Sequence, residues 1–114
     1  MASKIDRDEL LNTIVDMDGS DLHMHVGHYP ILRVHGHLKA LDQYGVLEPE
    51  QTEAFMRSIA PPRALAEIEE VQGADFGYTF TRARFRCAVY YQKGTIAVNM
   101  RLIPYKLRDF DELM

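Results

Sequence analysis

The spacing of hydrophobic residues changes along this chain, and the first stretch has the spacing of an α-helix. Apolar side chains recur near the helical period over residues 10–17. Ser3 or Asp6 is placed to cap the start of this helix, and Asp6 with Glu9 has the spacing of a capping box. Gly19 follows the pattern as a helix-ending residue. We therefore predict a first helix that ends before residue 19.

Apolar and polar residues then alternate, which is the period of a β-strand. The alternation predicts a strand over residues 21–26, and residues 27–30 read G-H-Y-P, which is typical of a turn. Residues 31–35 predict a second strand. Gly36 interrupts the pattern, and residues 37–41 predict a third strand.

Helical spacing returns in the middle of the chain. Pro49 stands at the first position of a helix whose apolar pattern runs over residues 53–59. The prolines at residues 61–62 break this pattern and open another helix. That second helix reaches Val71, and Gly73 is placed to close it.

The last third of the chain alternates again and predicts three further strands. Their apolar members are Phe76, Tyr78, Phe80, Phe85, Cys87, Val89, Tyr91, Ile96, Val98, Met100 and Leu102. The order of helix, strands, two helices and strands predicts an α+β domain, with a mainly antiparallel sheet of about five or six strands packed with helices. Residues 109–114 begin one more helical pattern.

Composition places the chain among ordinary globular domains. Its 114 residues fit one domain, and a hydrophobic fraction of 46% argues against a disordered chain. The formal net charge of −4 argues against a nucleic-acid partner, which would need a basic face. The single cysteine, Cys87, excludes an internal disulfide. With no charged-then-apolar leader at its start and no apolar run near 20 residues, the chain is expected to be cytosolic.

The motifs of familiar catalytic sites are absent from the sequence. The chain has no G-x-x-x-x-G-K-[ST] phosphate loop, no G-x-G-x-x-G turn and no pair of cysteines for zinc. Ser20 and Ser58 lack the G-x-S-x-G setting of a hydrolase nucleophile. We therefore expect the chain alone to be catalytically inactive.

All five histidines lie between residues 23 and 37. Asp21, His23 and His25 share one face of an extended strand, and His35 and His37 share a face if their strand runs through Gly36. A metal site with oxygen and nitrogen ligands is one alternative. The spacing fits no dedicated metal motif, so the polar side of a half-buried sheet is favoured and we predict no metal.

The hairpin between the last two strands carries a sharper signal. Its turn at residues 93–94 reads K-G, and a two-residue loop pairs Gln92 with Thr95. This register sets the apolar residues of the two strands opposite one another on a core face. A three-residue loop would break the register.

The same register places Arg86 directly opposite Arg101 on the other face. Like charges that face one another across a ladder are unfavourable. The pair therefore indicates either carboxylates nearby or a site for an anion. Two solvated arginines that lean apart are the alternative.

A third charged group follows the second helix. Asp75 stands at the head of its predicted strand, with Arg82 and Arg84 nearby along the chain. We expect surface ion pairs between this carboxylate and these arginines.

Several short motifs occur in a fixed order along the chain. They are S-D-L-H at residues 20–23, Gly27, Pro30, R-V-H-G at 33–36, A-D-F at 74–76, A-R-F-R at 83–86 and R-L-I-P at 101–104. Together they resemble the amino-terminal domain of the twitching-motility (retraction) ATPases of type IV pili, in the type II/IV secretion ATPase superfamily. The similarity runs from about Asp6 to the last residue. His35 stands where the family usually has aspartate, and His25, His28 and His37 are not family positions.

This resemblance implies a PAS-like α+β domain over residues 1–108. Residues 109–114 would begin the linker to a RecA-like ATPase domain, which binds ATP and Mg²⁺ and is not in this chain. The family assembles as a cytoplasmic homo-hexamer at the inner face of the membrane, beneath the pilus platform protein. The family's amino-terminal domain moves as a rigid body against the neighbouring subunit's RecA-like domain, and hydrolysis drives pilus retraction. No cofactor is expected for the chain alone.

The resemblance also implies a role for the hairpin arginines. Arg86 and Arg101 stand at the positions whose arginines reach the phosphates of ATP in the family. No catalytic residue and no metal ligand is implied for this chain itself.

Other interpretations of the sequence remain open. The pilus-extension and type II secretion ATPases share this domain, but they carry a further amino-terminal domain and usually read S-D-I-H. If Met1 is the native start, the position of the first helix close to it favours the retraction class. A stand-alone PAS-like sensor or interaction module is a second hypothesis, and a small metal-binding protein that uses the histidines is a third.

Overall fold

The computed structural model describes residues 4–103. The described part contains helices α1 (Arg7–Asp16), α2 (Pro49–Ile59) and α3 (Pro62–Val71), and strands β1 (Gly19–Met24), β2 (Ile31–Val34), β3 (His37–Ala40), β4 (Gly73–Thr79), β5 (Arg84–Gln92) and β6 (Thr95–Ile103). A short 3-10 turn spans Asp42–Tyr44. The helix and linker start predicted for residues 109–114, and the alternative cap Ser3, lie outside the described residues.

The six strands form one antiparallel sheet in the order β3-β2-β1-β6-β5-β4. Helix α1 packs on β1, α2 on β6 and α3 on β4, and their apolar residues share one core with the inward residues of the strands. The opposite face, called the open face here, carries the alternate strand residues, which are mostly exposed or half-buried. The predicted α+β class with a mainly antiparallel sheet is confirmed.

The register predicted for the β5–β6 hairpin is also confirmed. Lys93 and Gly94 have φ of 55° and 82°, as a two-residue hairpin turn requires. Gln92 pairs with Thr95, and the pairing continues without a slip to Arg84 and Ile103. Tyr91 lies on the core face as expected, opposite Ile96, but it is 41% exposed because it lies near the end of the sheet.

Two glycines that the sequence placed at helix ends have another role. The residue before each glycine takes the left-handed conformation instead. Asp18, after helix α1, has φ of 60°, and Gln72, after α3, has φ of 67°. Gly19 and Gly73 then begin strands. Strand β1 therefore begins two residues earlier than predicted.

The caps of two helices follow from side-chain oxygens. Asp6 caps α1 as predicted, since its Oδ1 accepts from the backbone N–H of Glu9 at 3.1 Å. Helix α2 has a capping box that the sequence analysis missed, formed by Glu48 and Gln51 in front of and behind Pro49.

The hairpin between β2 and β3 corrects the prediction for the histidines. His35 and Gly36 have φ of 50° and 81° and form its turn, and Val34 pairs with His37. The strand does not run through Gly36, so His35 and His37 do not share a strand face.

Gly19→Ala is expected to destabilise the domain by about 1–3 kcal/mol, the usual cost of forcing an extra methyl into a packed core. A Cβ at this position would lie 2.6 Å from Cδ1 and 2.9 Å from Cγ of Leu32. Leu32 is fully buried and cannot move aside freely. Urea unfolding measures the change.

Gly73→Ala is the matched control, because Gly73 is likewise the first residue of a strand after a left-handed residue. Its added Cβ would meet nothing closer than the Val89 carbonyl oxygen at 3.3 Å. An equal loss of stability in both variants would contradict the packing explanation for Gly19.

Candidate functional site

One row of residues crosses the open face at right angles to the strands. Strand pairing connects it from β3 to β4 through Leu38, Arg33, Asp21, Arg101, Arg86 and Gly77. We call this set the arginine row. The two arginines singled out from the sequence thus lie side by side, as predicted. The row also brings in Asp21 and Arg33, which the hairpin register alone cannot place.

Arg101 is anchored at one side of its guanidinium group. Its Nε donates to Oδ1 of Asp21 at 3.0 Å, and the side chain as a whole is 72% exposed. The other carboxylate oxygen, Oδ2 of Asp21, accepts a hydrogen bond from Ser20 Oγ at 2.9 Å, and it lies 4.0 Å from Arg33 Nε. The opposed arginines therefore have a carboxylate nearby, which is one of the two explanations for their register.

The environment of Asp21 keeps its carboxylate ionised. Burial of this side chain, which is 18% exposed, raises its pKa, but the hydrogen bonds from Ser20 and Arg101 and the neighbouring positive charge together outweigh that effect. The pKa of Asp21 is therefore lowered below its ordinary 3.8. A carboxylate with a lowered pKa stabilises the folded state at any pH above its pKa in the unfolded chain. This contribution is lost only as the pH falls through its pKa in the folded protein. At neutral pH the Asp21 carboxylate is therefore charged beside Arg101.

Arg86 has no such anchor. It is exposed, and no hydrogen bond or ion pair connects it to another residue in the range 4–103. Its β4 neighbour in the row is Gly77, which has no side chain to cover it. Its exposed guanidinium fits both of the remaining explanations, a solvated arginine and a site for an anion.

Arg84 is a third arginine at this end of the sheet, and the sequence analysis did not assign it to the site. It lies on the same face as Arg86, two residues away on β5. Its Nη2 lies 2.9 Å from where a Cβ on Gly77 would stand, so glycine leaves room for this guanidinium. The A-R-F-R motif was the available signal, since its two arginines must share a strand face.

The charge of this face differs from that of the whole chain. The open face carries four arginines and two aspartates, Arg33, Arg84, Arg86, Arg101, Asp21 and Asp75. The chain as a whole has a formal charge of −4. A shallow depression of about 360 Å³ lies between Asp21, Asp75, Arg86 and Arg101. A basic patch beside such a depression can attract a phosphate-bearing ligand.

The histidines next to the row serve a polar network. His23 Nδ1 and His25 Nε2 lie 3.0 and 3.2 Å from Oδ1 of Asn99, whose Nδ2 lies 3.3 Å from the hydroxyl of Tyr90. His23 and His25 are half-buried and meet the same partner, Asn99, which was missed, but β1 ends at Met24, so His25 lies just beyond the strand. Within residues 4–103, no group of three or more histidine, cysteine, aspartate or glutamate side chains is placed to hold a metal ion. The absence of a metal stays a prediction.

The ion pairs expected around Asp75 do not form. Arg82 binds Asp16 at 2.8 Å and Asn12 at 2.9 Å, which ties the β4–β5 loop to α1. Arg84 donates to Thr79 Oγ1 at 3.3 Å. Neither arginine pairs with Asp75 in the part of the chain that the structure describes, so this prediction was wrong.

Solved structures of bacterial ATPases share this fold. The chain superposes on a crystal structure of the pilus retraction motor PilT with bound ADP at a TM-score of 0.83, with 27% identity, over 96% of this chain and 32% of that one. The ATPase DotB of Legionella pneumophila matches at 0.73 with 21% identity, over 99% of this chain and 35% of that one. DotB of Yersinia pseudotuberculosis also matches at 0.73, with 18% identity, over 91% and 32%. The likeness to DotB concerns the fold alone. The chain thus resembles a domain of bacterial motor ATPases of the pilus-retraction class.

The sequence points to one member of that class. The chain is 30% identical over 110 residues to the type IV pilus retraction ATPase PilT of Pseudomonas aeruginosa, over 96% of this chain and 32% of the relative. No protein-family model matches the chain. Sequence and fold together confirm the resemblance to the twitching-motility ATPases. The chain spans about a third of the length of these relatives, which is consistent with an amino-terminal domain. No helix in residues 4–103 is long and apolar enough to cross a membrane.

Proposed function

We propose that this chain is the amino-terminal domain of a hexameric motor ATPase that powers type IV pilus retraction. In this proposal, residues 109–114 lead into a RecA-like domain that binds ATP and Mg²⁺. The hexamer lies in the cytoplasm against the inner membrane, beneath the pilus platform protein. The observation that carries the proposal is the arginine pair on the open face, in a chain that matches a retraction motor in sequence and fold.

Arg86 and Arg101 contact the phosphates of ATP held by a neighbouring RecA-like domain. A guanidinium group suits this contact because it is planar, always charged and able to bond two phosphate oxygens at once. Both side chains lie on the face that no described helix covers, so a docking domain can reach them. Arg101 is held in place, whereas Arg86 has a free guanidinium that can follow the ligand.

Loss of the γ-phosphate would couple hydrolysis to movement. With ATP bound, the two arginines tie this domain to the nucleotide site. After hydrolysis and phosphate release, these contacts are lost and the domain is free to rotate. The domain moves as a rigid body because one core joins its helices to the sheet.

The test compares the full-length protein with this chain. The reading frame should continue past residue 114 into a phosphate-loop domain, and the full-length protein should hydrolyse ATP as a hexamer. The isolated chain should release no phosphate above background, because it has no loop to hold the nucleotide. Hydrolysis by the purified chain, or a frame that stops at residue 114, would contradict the proposal.

A motor for pilus extension or secretion is the second candidate, favoured by the fold shared with DotB. Deletion of the gene distinguishes the two. Loss of a retraction motor should leave cells with pili that no longer retract, whereas loss of an extension motor should leave cells without pili.

A further inference from the structure

We propose that Asp21 is a positioning residue for Arg101, which it holds through Nε so that the terminal edge of the guanidinium stays free for phosphate oxygens. The inference rests on the proposed function, since it assigns the support of one of its two arginines. It also gives the S-D part of the S-D-L-H motif a physical role.

The geometry of the Arg101 contact decides which donors stay free. Arginine has five N–H donors, and only Nε–H is engaged by Asp21, at 3.0 Å. No hydrogen bond from the two terminal nitrogens of Arg101 is found within residues 4–103. These nitrogens form an edge with two N–H groups that can bind two oxygens of one phosphate. The carboxylate lies on the Nε side, so it does not occupy that edge.

Asp21 is itself held in one orientation. Ser20 donates to its Oδ2 at 2.9 Å, and Arg33 attracts the same oxygen from 4.0 Å, which leaves Oδ1 for Arg101. The side chain is half-buried, and its lowered pKa keeps it charged. Residues from β2, β1 and β6 thus form one support across the sheet.

Arg86 shows what the support adds. It has no partner among the described residues and must be ordered by the ligand when it binds. Arg101 has already lost part of its side-chain freedom, so its contact with phosphate requires less ordering. If Asp21 instead competes with phosphate for Arg101, its removal would make the arginine more available.

The first test uses this chain itself. In ¹⁵N relaxation measurements, the Nε–H of Arg101 should be more ordered than that of Arg86. In Asp21→Asn the Nε–H of Arg101 should become as mobile as the Nε–H of Arg86. The order of the backbone amides and the melting temperature should stay close to those of the wild type. Asp18→Asn is the matched control, because Asp18 is an exposed carboxylate whose left-handed backbone also suits asparagine. Equal order of Arg101 in wild type and Asp21→Asn would overturn the inference.

The second test uses the full-length motor and separates kcat from KM. Asp21→Asn should lower kcat about tenfold to a hundredfold, the usual effect of a small misplacement, with KM for ATP within about twofold. Asp21→Glu should recover part of the loss because it keeps the charge, and Asp18→Asn should have no effect. If Asp21→Asn hydrolyses ATP at an unchanged or faster rate while Arg101→Ala is slow, the role of Asp21 is overturned but the proposed function is not. Unchanged rates in both variants would overturn the proposed function as well.

Discussion

Replacing Arg101 or Arg86 with alanine is expected to slow ATP hydrolysis by the full-length motor about a thousandfold, the scale of an arginine that stabilises transferring phosphate. The effect should appear in kcat, because the arginine meets charge that develops in the transition state. Steady-state phosphate release by the purified hexamer measures it. Arg84→Ala should have a smaller effect, since Thr79 already engages its guanidinium.

The same substitutions should scarcely change the stability of this domain. Arg86 has no described partner, and the Arg101–Asp21 ion pair involves an arginine that is 72% exposed. Exposed pairs contribute only about 0.2–1 kcal/mol. Arg57→Ala is the control, since Arg57 lies on α2, on the other side of the sheet, and pairs with Glu53. Normal hydrolysis in both Arg86→Ala and Arg101→Ala would refute their assignment.

Phe85→Ala should have the largest effect on folding, a loss of about 3–5 kcal/mol. Phe85 is 1% exposed, and its ring centroid lies 6.4 Å from that of Phe80. It is on β5 between Tyr78 of β4 and Leu102 of β6. The cavity would lie directly beneath the strand that carries Arg84 and Arg86. Urea unfolding monitored by circular dichroism measures the loss.

Tyr91→Ala is the matched control for Phe85→Ala. Tyr91 is on the same strand and the same face, but it is 41% exposed at the end of the sheet. Its removal leaves no closed cavity, and the expected loss is less than half as large. A loss below about 1 kcal/mol for Phe85→Ala would show that the core tolerates the cavity, contrary to the packing described here.

The β5–β6 hairpin shows how far the sequence alone reaches. Its register depends on a two-residue turn and on alternation within about twenty neighbouring residues, so local signals were enough to place Arg86 opposite Arg101. The class of the fold followed in the same way from the order of the elements. The class carries no information on how β1 pairs, because strand order is a tertiary property.

The Arg101–Asp21 contact is one that could not be predicted from the sequence. These residues are 80 positions apart, and they meet because β6 lies beside β1 in the sheet. Asn99 was missed for the same reason, since its partners are His23 on β1 and His25 just after the end of that strand. Gly19 was misplaced because the adjacent Asp18 takes the left-handed conformation that glycine usually supplies. The need for a residue without a Cβ at this position, next to the Leu32 side chain, is seen only in the packed domain.

The central claim is that this domain presents its arginine pair to ATP. A structure of the full-length motor with a non-hydrolysable ATP analogue tests it most directly. We predict that the guanidinium groups of Arg86 and Arg101 lie about 2.7–2.9 Å from phosphate oxygens of a nucleotide bound by a neighbouring RecA-like domain, with Asp21 still on Nε of Arg101. A structure in which the open face lies in solvent, or against a surface without nucleotide, would contradict the account.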